Sequence, residues 1–324
     1  MSVPKALCFE SIGGSNEDKL NQIAVALCTE KAKGDDSLYR PFVDTLPDDV
    51  SYIPALWSEL RLNKIKGTNI YSDCIKMRRS WENTFHTLDN DKNHNNNIGI
   101  DDYLWGRATL QGRILSFETS KSFNKVKNSD NVIYSLTPFI SLPNHSDDSE
   151  LYPSLSFGNT EYLLRADRNI FANNDLFITY GTMSFQQRIL CFGWIDREVS
   201  SSKYSISTVA VPKAVGSTDT SDNDVFEEIE IKTLVYHDPA DINHQSMLSK
   251  ELASTIDKIK AITRDETGTK AVDLISTQLA SKLAVINHWN QELDMNMSDE
   301  DYIMSVECIA AQNILNHLNS FKGL

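Results

Sequence analysis

Two dipeptides carry side chains on which chemistry could be built: Asn144-His145 and, about thirty-five residues later, Tyr180-Gly181. The first lies in Pro138-Phe139-Ile140-Ser141-Leu142-Pro143-Asn144-His145-Ser146, and the second closes the apolar run Asp175-Leu176-Phe177-Ile178-Thr179-Tyr180-Gly181. An amide brings a donor and an acceptor, and a phenol brings one hydroxyl. If the two segments cross, an amide and a phenol line the same small hollow. Other reactive arrangements are missing from the sequence. The seven histidines (86, 94, 145, 237, 244, 288 and 317) lack metal-ligand spacing, so no metal site is expected. There is no Gly-rich phosphate loop and no Gly-x-Ser-x-Gly nucleophile elbow.

The elements that must position these residues fall into three textures. Residues 17–33 place Leu20, Ile23, Leu27 and Cys28 on one face at helical spacing, and Gly34 ends that helix. A second long helix is predicted over about 70–89, then a polar Asn-rich loop to Asn97, then a third helix over roughly 100–116. From about 130 to 195 the chain breaks into short strand-like runs: Val132 to Leu136, Tyr152 to Phe157, Tyr162 to Arg165 and Leu176 to Tyr180. A further strand-rich stretch, Tyr204 to Val211, leads into an acidic loop expected over Ser217 to Glu230. Beyond it the periodicity is helical: Leu248, Leu252, Ile256 and Ile259, then Ile275, Leu279, Leu283, Ile286 and Leu293. Ser298 with Asp301 resembles a capping box opening a last helix through Leu318. The fold class expected is α+β.

Composition narrows the setting. With 324 residues, 40% apolar and 23% charged, the chain can bury a large core, and no stretch reaches the roughly 20 apolar residues of a membrane span. The N-terminus lacks an apolar signal core. The five cysteines are scattered and never form a Cys-x-x-Cys pair, which points to reduced thiols in the cytoplasm or nucleus. A net charge of −14 disfavours nucleic acid, whose phosphates need clustered Lys and Arg, and suits a basic protein partner. A monomer with no membrane attachment is expected.

Several ordered motifs identify a family. The stretch from Leu27 to Pro47, Leu56-Trp57-Ser58, Lys66-Gly67-Thr68, and Trp105-Gly106-Arg107-Ala108-Thr109-Leu110-Gln111-Gly112-Arg113 resemble the helical insert of the Rubisco large-subunit methyltransferase-like SET-domain proteins. Asn144-His145 and Tyr180-Gly181 resemble their two crossing segments. The likeness covers about residues 3 to 196 and continues weakly to the end. It implies a SET domain at 1–197, lacking its N-terminal strands and with a helical insert at about 17–128, and a mostly helical substrate-binding domain at 198–324. It implies S-adenosylmethionine as cofactor and a protein lysine as acceptor, with ribosomal proteins or translation factors as the kind of substrate met in related proteins.

By the same resemblance, Asn144 and the backbone of His145 hold the cofactor, and Arg113 pairs with its carboxylate through a bidentate fork that Lys could not reproduce. Tyr180 is the catalytic residue and also touches the cofactor; Phe192 and Trp194 form the aromatic end of the lysine channel. Each has a plainer alternative: a turn after Pro143, a surface arginine at a helix end, a strand-end tyrosine, two core aromatics. Phe139, Phe177 and Trp105 are expected in the core. The chain also departs from the family pattern. It opens at Val3-Pro4, after the point where the family carries a Gly-x-Gly strand, and Gly13-Gly14 is no substitute. Ser141 stands for an Asp, Gly112 for a Ser and Phe185 for an Asn, so a catalytically inactive SET-like binding module, or an active enzyme whose gene model lost its first exon, would fit the same residues.

Overall fold

The computed structural model describes residues 2–11, 14–90, 98–118, 132–146, 154–157, 161–166, 169–181, 183–195, 204–212, 226–234, 242–263, 269–286 and 297–322. The chain begins with β1 (Ser2–Pro4), β2 (Phe9–Glu10), α1 (Asn16–Lys33), α2 (Arg40–Val43), α3 (Glu59–Lys64), α4 (Asn69–Asn90) and α5 (Ile100–Gln111). Short strands follow: β3 (Leu115–Glu118), β4 (Val132–Leu136), β5 (Asn144–His145), β6 (Ser154–Phe157), β7 (Glu161–Arg165) and β8 (Phe177–Ile178). The remainder is α6 (Phe185–Phe192), β9 (Tyr204–Pro212), β10 (Phe226–Leu234), α7 (Ile242–Thr263), α8 (Thr269–Ile286) and α9 (Asp299–Lys322). The fold is α+β, as expected. Two compact units divide it: Met1–Leu56 with Lys76–Thr182, and Trp57–Ile75 with Met183–Leu324.

In the first unit, α1 opens with a reciprocal cap. Ser15 Oγ accepts from the Asp18 N–H at 3.2 Å, while the Asp18 carboxylate accepts from the Ser15 N–H at 3.0 Å. Gly34, at φ 55°, closes the helix in a conformation that strains any residue with a Cβ. The buried face of α1, with Ile23, Ala24, Leu27 and Cys28, shares a core with Tyr103, Trp105, Ala108 and Leu110 of α5. Arg107 is 2% exposed; it donates to Asn21 Oδ1 at 2.5 Å and pairs with Glu17 at 3.0 Å, so this part of the Trp105–Arg113 motif holds α5 to α1.

The helix predicted to reach 116 ends at Gln111, with Gly112 as its cap, and Leu115 begins a strand paired with Ser135. The apolar Ile114-Leu115 pair reads as either state locally, and the partner strand decides. Three small sheets complete the unit: β1-β7-β6 and β2-β4-β3 are antiparallel, and β5-β8 is parallel. The strand expected over Leu176 to Tyr180 shrinks to Phe177–Ile178. β1 and β2 were not foreseen, because runs of two or three residues carry too little periodicity to register.

In the second unit, β9 and β10 form a hairpin pairing Tyr204 with Leu234 and Pro212 with Phe226. The acidic loop expected to Glu230 is therefore corrected from Phe226 onward. Ile229 and Ile231 are buried while Glu228 and Glu230 are exposed, a period-two alternation whose outer face is acidic; Glu227, on the isoleucine face, is exposed near the strand end. Residues 213–225, like the Asn-rich stretch 91–97, Leu293 and the boundary at 198, lie outside the described residues. Buried Leu248, Leu252, Ile259, Ile275, Leu279 and Leu283 follow the spacings read from sequence. Ser298 Oγ accepts from the Asp301 N–H at 3.2 Å and opens α9. Among the described residues no helix is long and apolar enough to cross a membrane.

Candidate active site

The segments bearing Asn144-His145 and Tyr180 lie side by side in the first unit. β5 and β8 pair in parallel, Asn144 with Phe177 and His145 with Ile178, and the Ser146 N–H extends the ladder to the Ile178 carbonyl at 3.3 Å. Two residues past β8, Tyr180 turns back onto the first segment. Its hydroxyl donates to the Pro143 carbonyl at 2.7 Å, and its backbone N–H donates to His145 Nδ1 at 3.1 Å. The two rings stack, with centroids 5.1 Å apart and planes 26° apart. Beneath them Val3, Ile140, Tyr162, Leu164 and Ile178 form a small apolar core that Tyr180 joins at its edge.

Burial pushes the Tyr180 phenol above its ordinary value of 10.0, and the positive charge of Arg113 partly offsets this. The phenol is thus protonated at neutral pH, with that proton directed at Pro143. Asn144 is exposed and makes no side-chain hydrogen bond among the described residues. Gly181 sits at φ 88°, and a Cβ placed there would meet nothing within 4 Å among the described residues. Ser141 Oγ is buried without a hydrogen-bond partner among the described residues. An exposed amide with no side-chain hydrogen bond among the described residues, one residue after the carbonyl that the phenol engages, has a donor and an acceptor to offer a polar small molecule such as S-adenosylmethionine.

Arg113 follows the Gly112 cap and donates from Nη1 to the Tyr52 hydroxyl at 3.1 Å. It is half-buried and electrostatically linked to Tyr180. Phe192 and Trp194 belong to the second unit. Phe192 ends α6, Gly193 caps it at φ 63°, and the Arg188 guanidinium lies 4.9 Å from the centre of the Trp194 ring. Trp194 is 37% exposed. Phe185, where the family pattern has an Asn, is the first residue of α6 and is 2% exposed, its ring 6.1 Å from that of Tyr302. Trp105 is core as expected, but Phe139 is 59% exposed at φ 63°, which corrects its placement in the core. Sequence reading missed the Pro143 carbonyl, the His145 ring nitrogen and Tyr52 as partners. Tyr52 precedes Arg113 by 61 residues with no local signal to join them.

The fold is shared with solved SET-domain structures. The chain superimposes on the crystal structure of the SET domain of LSMT bound to lysine and AdoHcy with a TM-score of 0.67 at 15% identity, covering 99% of this chain and 81% of that one. Rubisco LSMT bound to sinefungin and monomethyllysine gives 0.63 at 15% identity. In sequence it is similar to parts of two plant protein N-methyltransferases. It is 29% identical over 153 residues to the ribulose-1,5-bisphosphate carboxylase/oxygenase large subunit N-methyltransferase of Nicotiana tabacum, which covers 44% of this chain and 28% of that protein. It is 23% identical over 207 residues to the [fructose-bisphosphate aldolase]-lysine N-methyltransferase of Arabidopsis thaliana, 59% of this chain and 40% of that one. The chain spans less than half the length of these curated relatives. No protein-family model matches it.

Proposed function

We propose that this chain is an S-adenosylmethionine-dependent protein-lysine N-methyltransferase. The observation that carries the proposal is the crossing itself, where the Tyr180 hydroxyl donates to the carbonyl of Pro143, the residue before Asn144, and the Tyr180 backbone bonds the His145 ring. S-adenosylmethionine supplies an electrophilic methyl group when bound; the protein supplies position and electrostatics. Asn144 and the His145 backbone hold the cofactor, and Arg113 takes its carboxylate. Tyr180, its proton committed to Pro143, acts as a hydrogen-bond acceptor and an orienting group rather than a base. Phe192 and Trp194 receive the lysine side chain. Residues 1–197 supply the cofactor part and 198–324 present a basic protein substrate, to which the net charge of −14 is complementary. We place the protein in the cytoplasm or nucleus as a monomer, since its five cysteines are free thiols, whereas the curated relatives are chloroplastic.

Titration calorimetry with S-adenosylmethionine, followed by labelled methyl transfer into a lysate, tests the proposal. Micromolar binding with label recovered on lysine supports it, and no heat of binding would end it. The second reading, an inactive SET-like binding module, draws on Phe185 being packed in a core and Ser141 lacking a partner. A folded chain that gives no heat with S-adenosylmethionine would favour that reading, and tight binding would rule it out.

A further inference from the structure

The His145 side chain has a role separate from any contact its backbone makes. Imidazole Nδ1 lies 3.1 Å from the Tyr180 backbone nitrogen. A backbone N–H can only donate, so Nδ1 must carry a lone pair, and the neutral ring must hold its proton on Nε2. The same ring stacks on the Tyr180 side chain at 5.1 Å. One imidazole therefore grips Tyr180 twice, by its backbone and by its ring face, while the Tyr180 hydroxyl is tied to Pro143, two residues before His145. The β5–β8 ladder is only two residues long, so it contributes little stiffness of its own, and Tyr180 lies beyond its end.

We propose that His145 is a positioning residue for Tyr180 and that its neutral Nε2–H tautomer is the working form. Protonation at Nδ1 would set N–H against N–H, break the backbone bond and release Tyr180 from its place over the crossing. On the described residues the Tyr180 phenol is stacked on the ring, and the charge of Arg113 acts on that phenol. The functional meaning rests on Tyr180 being the site tyrosine; the tautomer and the release do not.

The test uses the full chain without cofactor, labelled with ¹⁵N, and follows the histidine ring nitrogens and the Tyr180 amide from about pH 8 to about pH 5, where histidine changes charge. The His145 signals are assigned by their loss in His145→Asn. The expected result is a neutral Nε2–H tautomer, with the Tyr180 amide resonance shifting as Nδ1 gains its proton. An asparagine oxygen falls near the place of Nδ1, whereas a glutamine amide reaches toward that of Nε2. His145→Asn should therefore keep a pH-independent Tyr180 amide in its parental place, and His145→Gln should lose it. A proton found on Nδ1, a Tyr180 amide indifferent to pH in the parent chain, or Asn rescuing no better than Gln would overturn the assignment. If His145→Gln fails to fold, the parent tautomer decides by itself. A chain that shows the Nε2–H tautomer and the pH response yet binds no S-adenosylmethionine would sink the methyltransferase reading and leave this one standing.

Discussion

At the scale of single residues, the site depends on uncharged groups whose protonation and orientation are set by neighbours. Tyr180 is held at its backbone, its ring and its hydroxyl, all by the segment from Pro143 to His145. Tyr180→Phe removes the hydroxyl and keeps the other two restraints. Methyl transfer should fall by orders of magnitude while calorimetric affinity for S-adenosylmethionine stays within the usual scatter; an unchanged rate would take Tyr180 out of the chemistry. The Asn144 side chain makes no hydrogen bond among the described residues, so Asn144→Ala should leave stability alone and weaken cofactor binding by about 1–3 kcal/mol, the cost of deleting one hydrogen-bond partner. Affinity that does not move would place the pocket elsewhere. The residue types at the crossing were legible because Asn-His and Tyr-Gly recur in order within a set of motifs. Their bonds were not, since the acceptors are a backbone carbonyl and one ring nitrogen, which have no sequence signature.

At the scale of elements, close approach and burial of charge decide the packing. Gly106 on α5 faces α1 so tightly that an added Cβ would lie 2.6 Å from Cys28 Sγ and 3.2 Å from the Ala24 carbonyl oxygen. Cys28 cannot swing away freely, because its thiol donates to the Asp102 carbonyl at 3.0 Å. Gly106→Ala should cost about 1–3 kcal/mol in denaturant unfolding, and combining it with Cys28→Ala should recover part of that loss. Additive losses would show that the two helices are not in contact there. In the second unit, Glu307 on α9 is 1% exposed and accepts from the Asn69 N–H at 2.8 Å, the Ile70 N–H at 3.2 Å and Lys282 Nζ at 2.5 Å. It caps α4 and neutralises a largely buried ammonium at once. Glu307→Ala strands both, so a loss of about 3–5 kcal/mol is expected, and a loss below about 1 kcal/mol would mean that water reaches the cluster. Helix positions were readable from 3.6-residue spacing and from Ser15 and Ser298. β10 was hidden because its three glutamates dominate the composition and the Glu227-Glu228 pair breaks the period, although Ile229 and Ile231 alternate with Glu228 and Glu230.

At the scale of the whole molecule, buried phenols and thiols make stability depend on alkaline pH. Desolvation raises Cys8, Cys28, Tyr103, Tyr134, Tyr162, Tyr180 and Cys308 above their ordinary values, with Cys28 and Tyr103 each pushed up to about 12. The native state therefore holds protons that the unfolded chain releases from about pH 9 upward. The stability these groups provide is complete below that pH and drains away as pH rises toward about 12. Chemical denaturation between about pH 8 and about pH 11 should show falling midpoints, and a flat profile would mean these groups are solvated. The sequence by itself determined the α+β class, most helices and strands, and the residues that could meet, because periodicity and local caps are written within a few neighbouring positions. Only the tertiary structure decided that Asn144 pairs with Phe177 and that the Tyr180 phenol turns to Pro143. Contacts between residues more than thirty positions apart are settled by which pairing buries the apolar ring beneath them, and no short stretch of chain contains that information.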